Sequence, residues 1–345
     1  MIKGHGDDLY CHGSIRANFS SNVYSATDRG GLLAHLRDVL DGIGSYPEPE
    51  PYSLERDLSR LYGFDAACVS VTNGATEAIY LIAQAFAGSA SAVLCPTFSE
   101  YADACHLHGH RVCSIMQPED LPADARMLWL CNPNNPTGRA WDADMLHRMI
   151  CEHREVLFVI DQSYAYFSTA EVLDIASMVS QPNVILLHSL TKRFAIPGLR
   201  LGYLTATPSL VSKLRAHRMP WSVNALAIAA GSYLVQAGMP ASISLEALHA
   251  EAERLRVAIA SMDEYEVERT DTHFMLIRSR KRRATDLKQI LAEQYGLLIR
   301  DASNFEGLDA HFFRIATQTP QENDWLIEAL RELAHSEPTA QESQS

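Results

Sequence analysis

From about residue 67 to residue 205, short apolar runs alternate with stretches of helical spacing, and no other feature of this chain narrows its fold as far. That alternation is the pattern of βαβ units, which build a largely parallel sheet between helices. The runs also end alike, in polar residues. Cys68–Val71 leads into Thr72-Asn73-Gly74-Ala75-Thr76, and Ala92–Cys95 into Pro96-Thr97-Phe98. Leu128–Leu130 leads into Cys131-Asn132-Pro133-Asn134-Asn135-Pro136-Thr137-Gly138. Val156–Ile160 ends at Asp161, and Val184–Leu187 leads to Ser189 and Lys192. Open α/β sheets bind ligands beyond the carboxyl ends of their strands. A ligand site is therefore expected where these residues converge.

The 345 residues exceed one ordinary domain and suit a large α/β domain followed by a smaller α+β one. After Ala230 the pattern changes. A stretch rich in Ala, Leu and Glu predicts a helix over Ser242 to Ala260. Strands are expected at Thr272–Ile277, Leu297–Ile299 and Phe312–Ala316, with helices over Ala284 to Tyr295 and from about Gln321 to Ala334. The residues from Ser336 onward are polar and are expected to be disordered.

The chemistry concentrates in His188-Ser189-Leu190-Thr191-Lys192 and the following Gly198-Leu199-Arg200. A hydroxyl, a lysine and an arginine at fixed offsets after an apolar strand can hold an aldehyde cofactor by a Schiff base and its phosphate by charge-assisted hydrogen bonds. Asn73-Gly74-Ala75-Thr76 opens a helix with Ile79, Ile82, Ala83 and Phe86 on one face. Its N-terminal amides suit a phosphate, and equally a simple capped helix. Asp161 ends a buried strand and needs a partner. A pyridinium nitrogen would be one, held protonated so that the ring withdraws electrons. Tyr164 and Asn135 can each reach a ring hydroxyl. Phe98 offers a face for stacking, or ordinary core.

These motifs together resemble the class I/II aminotransferases, pyridoxal phosphate (PLP) enzymes of fold type I, over nearly the whole chain. The matching segments are Asn73-Gly74-Ala75-Thr76, Asn132-Pro133-Asn134-Asn135-Pro136-Thr137-Gly138, Asp161-x-x-Tyr164, Ser189-x-x-Lys192 and Gly198-x-Arg200. The family usually has Glu-Ala where this chain has Gln162-Ser163. The resemblance implies a catalytic set of Lys192, Asp161 and Tyr164. It places Gly74, Ala75, Thr76, Phe98, Asn135, Ser189 and Arg200 around the cofactor, with Arg314 on the substrate's α-carboxylate. A surface arginine at a strand edge is the plain alternative for Arg314. Tyr46 matches a tyrosine donated to the neighbouring subunit's phosphate, which implies a homodimer with shared active sites. The implied layout is an N-terminal arm over residues 1–35, a large PLP-binding domain over 36–235 and a small domain over 236–335, with a tail over 336–345.

Within the family the chain resembles two branches, the threonine-phosphate decarboxylases of cobalamin synthesis and the histidinol-phosphate aminotransferases. Gly4-His5-Gly6, Asn18-Phe19-Ser20-Ser21-Asn22, Pro220-Trp221-Ser222-Val223-Asn224 and Arg300-Asp301-Ala302-Ser303-Asn304-Phe305 look more like the decarboxylases. That comparison sets His5, Asn22 and Arg300 near the substrate, with His5 or Arg300 on its phosphate. Asp7-Asp8 after Gly6 departs from the decarboxylase pattern. The implied substrate is a small, phosphorylated amino acid for a decarboxylase, the alternative being a histidinol-phosphate or general amino-acid aminotransferase. Loss of CO₂ or transfer of the amino group then depends on which bond at the α-carbon stands perpendicular to the cofactor ring.

Other readings find less support. The formal charge of −13 disfavours nucleic acid as a partner. The basic run from Arg278 to Arg283 is expected to be a solvated loop. Cys105, His106, His108, His110 and Cys113 lie within nine residues, and the three histidines at i, i+2 and i+4 would face one way on a strand, where zinc could take them. The family fold instead sets a helix end and a strand start there, and no metal is expected. A non-catalytic PLP-fold binding protein is a further alternative, opposed by the complete lysine, aspartate and arginine set. Seven cysteines without Cys-x-x-Cys spacing suggest free thiols. With no apolar leader or membrane-length run, a cytoplasmic location is expected and no membrane partner.

Overall fold

A computed structural model describes residues 8–241 and 243–336. The strands are β1 (Ala17–Asn18), β2 (Val69–Thr72), β3 (Ala90–Leu94), β4 (Arg111–Ile115), β5 (Met127–Cys131), β6 (Leu157–Asp161), β7 (Val184–Ser189), β8 (Gly202–Thr205), β9 (Tyr265–Val267), β10 (Phe274–Ser279), β11 (Leu297–Leu298), β12 (Arg300–Asp301) and β13 (Phe312–Ala316). The helices are α1 (Gly30–Asp38), α2 (Tyr52–Tyr62), α3 (Gly74–Ala85), α4 (Glu100–Leu107), α5 (Ala143–Glu152), α6 (Ile175–Met178), α7 (Leu190–Arg193), α8 (Pro208–Arg215), α9 (Ala225–Gln236), α10 (Leu245–Ala260), α11 (Ala284–Tyr295) and α12 (Pro320–His335). None of these helices is long and apolar enough to cross a membrane.

Among the described residues a seven-stranded sheet runs in the order β2-β8-β7-β6-β5-β3-β4. Its pairings are parallel except that β8 runs antiparallel to both β2 and β7. The strands read as continuous apolar runs because helices cover both faces. Along β5, Met127, Trp129 and Cys131 join one core with Ile79 and Ile82 of α3. Leu128 and Leu130 join another with Leu146 and Ile150 of α5. The ends of β2, β5, β6 and β7 lie together, so Thr72, Cys131, Asp161 and Ser189 share one edge. Gly202 enters the sheet at that edge, paired with both Thr72 and Ser189.

A second sheet, β12-β13-β10-β9, is antiparallel and packs against α10, α11 and α12. Strand β1 reaches across the chain to pair with β11 and brings Ala17 and Phe19 into this second core. Helix α12 starts in a complete capping box between Thr319 and Glu322.

The structure adjusts several expectations. Strands β1, β4, β8, β9 and β12 lie outside the expected apolar runs. The strand expected from Thr272 begins at Phe274, because the Thr272 hydroxyl turns back to the Phe274 carbonyl. The helix expected from Ser242 begins at Leu245, with the Ser244 hydroxyl as its cap, and residue 242 itself lies outside the described residues. The basic run is not wholly solvated. Arg282 is buried and donates to the carbonyls of Leu333 (2.7 Å) and Ser336 (3.0 Å), which the last turn of α12 leaves without helical donors. The tail beyond Ser336 lies outside the described residues.

Candidate active site

A cavity of about 230 Å³ opens at the shared strand edge and is roofed by β12, β13 and the loop after β12. Lys192, Asp161, Tyr164, Ala75, Thr76, Phe98, Asn135, Ser189, Arg200, Arg300 and Arg314 all line it. Sequence positions from 75 to 314 therefore converge on one space, as the strand-end argument requires.

Asp161 forms its floor. Its Oδ1 accepts from the Ser163 amide at 2.8 Å and its Oδ2 from the Tyr101 hydroxyl at 2.7 Å. Burial pushes this carboxyl up, against the pull of those two bonds. Neither donor is a cation, so a protonated ring nitrogen would supply the charge that the buried carboxylate calls for. Burial pushes the Tyr164 hydroxyl up to about 12, with the Arg314 charge pulling the other way. It stays a donor at neutral pH.

The other end of the cavity suits a phosphate. Helix α3 begins at Gly74, which has φ +80°. A Cβ there would lie 2.5 Å from the Arg200 guanidinium, so the absence of a side chain lets Arg200 pack against the helix start. Gly202 matters equally, because a Cβ on it would lie 2.6 Å from the Ala75 amide nitrogen. The hydroxyls of Ser189 and Thr191 meet at 2.6 Å beside these groups. Hydroxyls, a guanidinium and first-turn amides at one end, with a buried carboxylate at the other, fit the phosphate and ring nitrogen of PLP. Lys192, whose Nζ donates to the Ser21 carbonyl at 2.9 Å, lines the same space.

The roof carries two arginines. Arg300 and Arg314 are direct cross-strand partners in β12 and β13, and both are buried. Arg300 donates to the Asp301 carbonyl at 2.7 Å and to Asn304 Oδ1 at 2.9 Å. Arg314 donates to Asn135 Oδ1 and to the Ser20 carbonyl. Burial pushes the Arg314 guanidinium down to about 10, and the Arg300 charge adds to the effect. The plain alternative, a surface arginine at position 314, is not what the fold places there.

Other expected residues sit apart. Asn22 is buried beside Tyr164 with φ +54°, behind the cavity wall, and its neighbours Ser20 and Ser21 line the space instead. Tyr46 is 87% exposed, outside the cavity of its own chain. His5 lies outside the described residues. The Cys/His cluster is split: Cys105 and His106 are on α4 and Cys113 on β4. His110 is buried, its ring bonded to Ser91 Oγ and the Ala83 carbonyl. Among the described residues no group of three or more His, Cys, Asp or Glu side chains could hold a metal ion.

Tyr101, Cys131, Thr191, Asn304 and Phe305 also line the cavity, beyond the expected site residues. Tyr101 carried one signal. With Ala104 and Cys105 it lies on the buried face of α4, three residues after Phe98.

Comparison with known proteins agrees with this geometry. The family described as aminotransferase class I and II matches residues 17–330. Threonine-phosphate decarboxylase from Salmonella typhimurium is 30% identical, over 91% of this chain and 90% of its own length. A histidinol-phosphate aminotransferase from Desulfitobacterium hafniense is 29% identical, over 88% of each chain. The crystal structure of L-threonine-O-3-phosphate decarboxylase from Porphyromonas gingivalis superposes with a TM-score of 0.90 at 37% identity, covering 93% of this chain and all of the other.

Proposed function

The chain belongs to the class I and II aminotransferase family, the PLP-dependent enzymes of fold type I, and on that premise we propose that it binds PLP through Lys192 and decarboxylates a small phosphorylated amino acid, O-phosphothreonine. The observation that carries this reading is the buried arginine pair. Two like charges on adjacent strands, both stripped of water, call for two anions. A carboxylate and a phosphate on one substrate supply them. An amino acid with a single carboxylate leaves one guanidinium unmatched. The curated and solved threonine-phosphate decarboxylases similar to this chain support the same substrate.

PLP, when bound, supplies an electron sink for the pair left at the substrate's α-carbon as one of its bonds breaks. The residues do the rest. The Lys192 amine nitrogen would hold the cofactor's aldehyde carbon, and Asp161 the proton on its ring nitrogen. Tyr164 and Asn135 would donate to its ring oxygen, and Phe98 would cover its face. The amides of Ala75 and Thr76, Ser189 and Arg200 would hold its phosphate. Arg314 would grip the substrate carboxylate and so fix the torsion that sets which bond aligns with the ring. Arg300 would take the substrate phosphate. Once CO₂ has left, Lys192 Nζ would return a proton to the α-carbon. Tyr46, turned out from its own cavity, would complete the phosphate site of a second copy in a homodimer.

The similarity to histidinol-phosphate aminotransferases supports a second reading. Histidinol phosphate bears a phosphate and no carboxylate, so the two arginines would serve it and an amino donor such as glutamate in turn. The deciding experiment incubates the PLP-loaded protein with threonine phosphate and, separately, with glutamate. Decarboxylation predicts CO₂ and aminopropanol phosphate in equal amounts without a keto acid. Conversion of the cofactor to its amine form by glutamate, without CO₂ from threonine phosphate, would replace it with transamination. Borohydride treatment should leave the cofactor's mass on the peptide bearing Lys192 and on none in Lys192→Ala. A protein that binds no PLP would remove both readings.

A further inference from the structure

Residues 19–23 cross between the two sheets as a strap, and each of their carbonyls takes a donor. Phe19 O accepts from the Ala316 amide at 2.8 Å. Ser20 O accepts from Arg314, Ser21 O from Lys192 Nζ at 2.9 Å, Asn22 O from His273 Nε2 at 3.3 Å and Val23 O from Gln318 Nε2 at 2.9 Å. Two of these donors, Lys192 and Arg314, are the groups assigned above to cofactor and substrate. Whatever they bind competes for the same N–H groups. The strap must then keep its course through the donors that take no part in the chemistry.

His273 is the one of those donors next to the reactive pair. It stands just before β10 and is wholly buried. Its ring lies 4.1 Å from Phe167 between centroids and meets Phe274 edge-on. A carbonyl can only accept, so Nε2 carries the proton. Burial pushes the ring down to about 3, with His249, Arg314 and Lys192 adding to it and the bond to the Asn22 carbonyl opposing it. The ring is neutral at physiological pH and adds no third cation beside Lys192 and Arg314. Its target is an unusual residue. Asn22 has φ +54°, the left-handed region, where asparagine is tolerated and the carbonyl turns away from the strand direction.

We propose that His273 is a positioning residue, whose Nε2–H holds the Asn22 carbonyl and so fixes the turn that presents the Ser20 and Ser21 carbonyls to Arg314 and Lys192. The inference rests on the functional reading of those two residues. A strap without this anchor lets Arg314 change its angle. Substrate binding through the carboxylate should suffer, while the PLP phosphate site, built from Ala75, Thr76, Ser189 and Arg200, keeps its shape.

The test compares His273→Leu with His273→Gln, whose amide nitrogen can reach the same carbonyl. PLP affinity is read by fluorescence on the apoprotein, and substrate KM and kcat with threonine phosphate. His273→Leu should raise KM by about tenfold, the loss of one buried hydrogen bond, with PLP affinity within about twofold and kcat changed less than KM. His273→Gln should recover most of that loss. A leucine variant with wild-type KM overturns the proposal. So does equal damage in both variants, which would mark a packing role, or a loss of PLP affinity as large as the loss in KM. If the leucine variant does not fold, His273→Phe keeps the aromatic packing without the donor and is judged by the same outcomes. Wild-type protein that binds neither PLP nor threonine phosphate would instead overturn the functional reading, and the inference with it.

Discussion

A histidine that cannot take up a proton makes an enzyme sensitive to acid, and His188 is such a residue. Its ring stacks on Tyr203 at 4.7 Å, and its Nε2 has no hydrogen-bond partner among the described residues. Burial pushes its pKa from 6.5 to about 3. The unfolded chain therefore binds a proton below pH 6.5 that the folded chain refuses until about pH 3. Stability is complete above pH 6.5 and falls with pH through that window. Between pH 7 and pH 5 the wild type should lose about 2 kcal/mol that His188→Phe does not lose. Unfolding midpoints of both proteins at the two pH values test this, and a constant gap between them would rule it out. His188 was legible in the sequence only as part of the lysine segment, because burial on the sheet cannot be read from a motif. Lys192, Asp161 and Arg200 were legible because their chemistry needs fixed residue types at fixed offsets. Tyr101 was legible only as a buried helix position, since its bond to Asp161 spans α4 and β6 and leaves no local spacing.

At the scale of elements, the phosphate end depends on how closely α3 approaches β8. Gly202 sets that approach. A Cβ on it would meet three backbone atoms: Ala75 N at 2.6 Å, His188 O at 2.8 Å and the Gly74 carbonyl carbon at 2.9 Å. No side chain can move aside to make room. Gly202→Ala should push the first turn of α3 from the sheet, with a destabilisation of about 1–3 kcal/mol and weaker PLP binding. Denaturation and a PLP titration measure the two effects. An unchanged affinity would show that the helix start does not need this contact. Apolar runs and helical spacing made most of these elements readable, including α11 and β13 to the residue. Strand order was not readable, since β8 inserts between β2 and β7 only after a long excursion through the sheet. The register that sets Arg300 opposite Arg314 was hidden for the same reason. Only pairing of β12 with β13 turns two separate arginines into one buried pair.

At the scale of the molecule, the homodimer proposed above can be tested through Tyr46. Tyr46 packs against Trp221 with ring centroids 5.4 Å apart and the planes tilted by 46°, and the Trp221 amide donates to the Pro49 carbonyl at 2.8 Å. Ile43 and Met219 are also exposed on these two segments. Apolar residues left in water in this way suit an interface, and Tyr46 lines no part of its own cavity. In a twofold dimer each subunit lends the same surface to the other. Subunit mixing separates this arrangement from a tyrosine that serves its own chain. Lys192→Ala and Tyr46→Ala should each release little or no CO₂ from threonine phosphate. Unfolded together and refolded at equal amounts, they give hybrid dimers in about half the population, each pairing an intact Lys192 with the partner's intact Tyr46 at one of two sites. About a quarter of wild-type activity should return. If Tyr46 acts within its own chain, no hybrid contains a complete site and mixing restores nothing. The same outcome, together with a monomer mass in solution, would return the exposed Tyr46–Trp221 pair to ordinary surface.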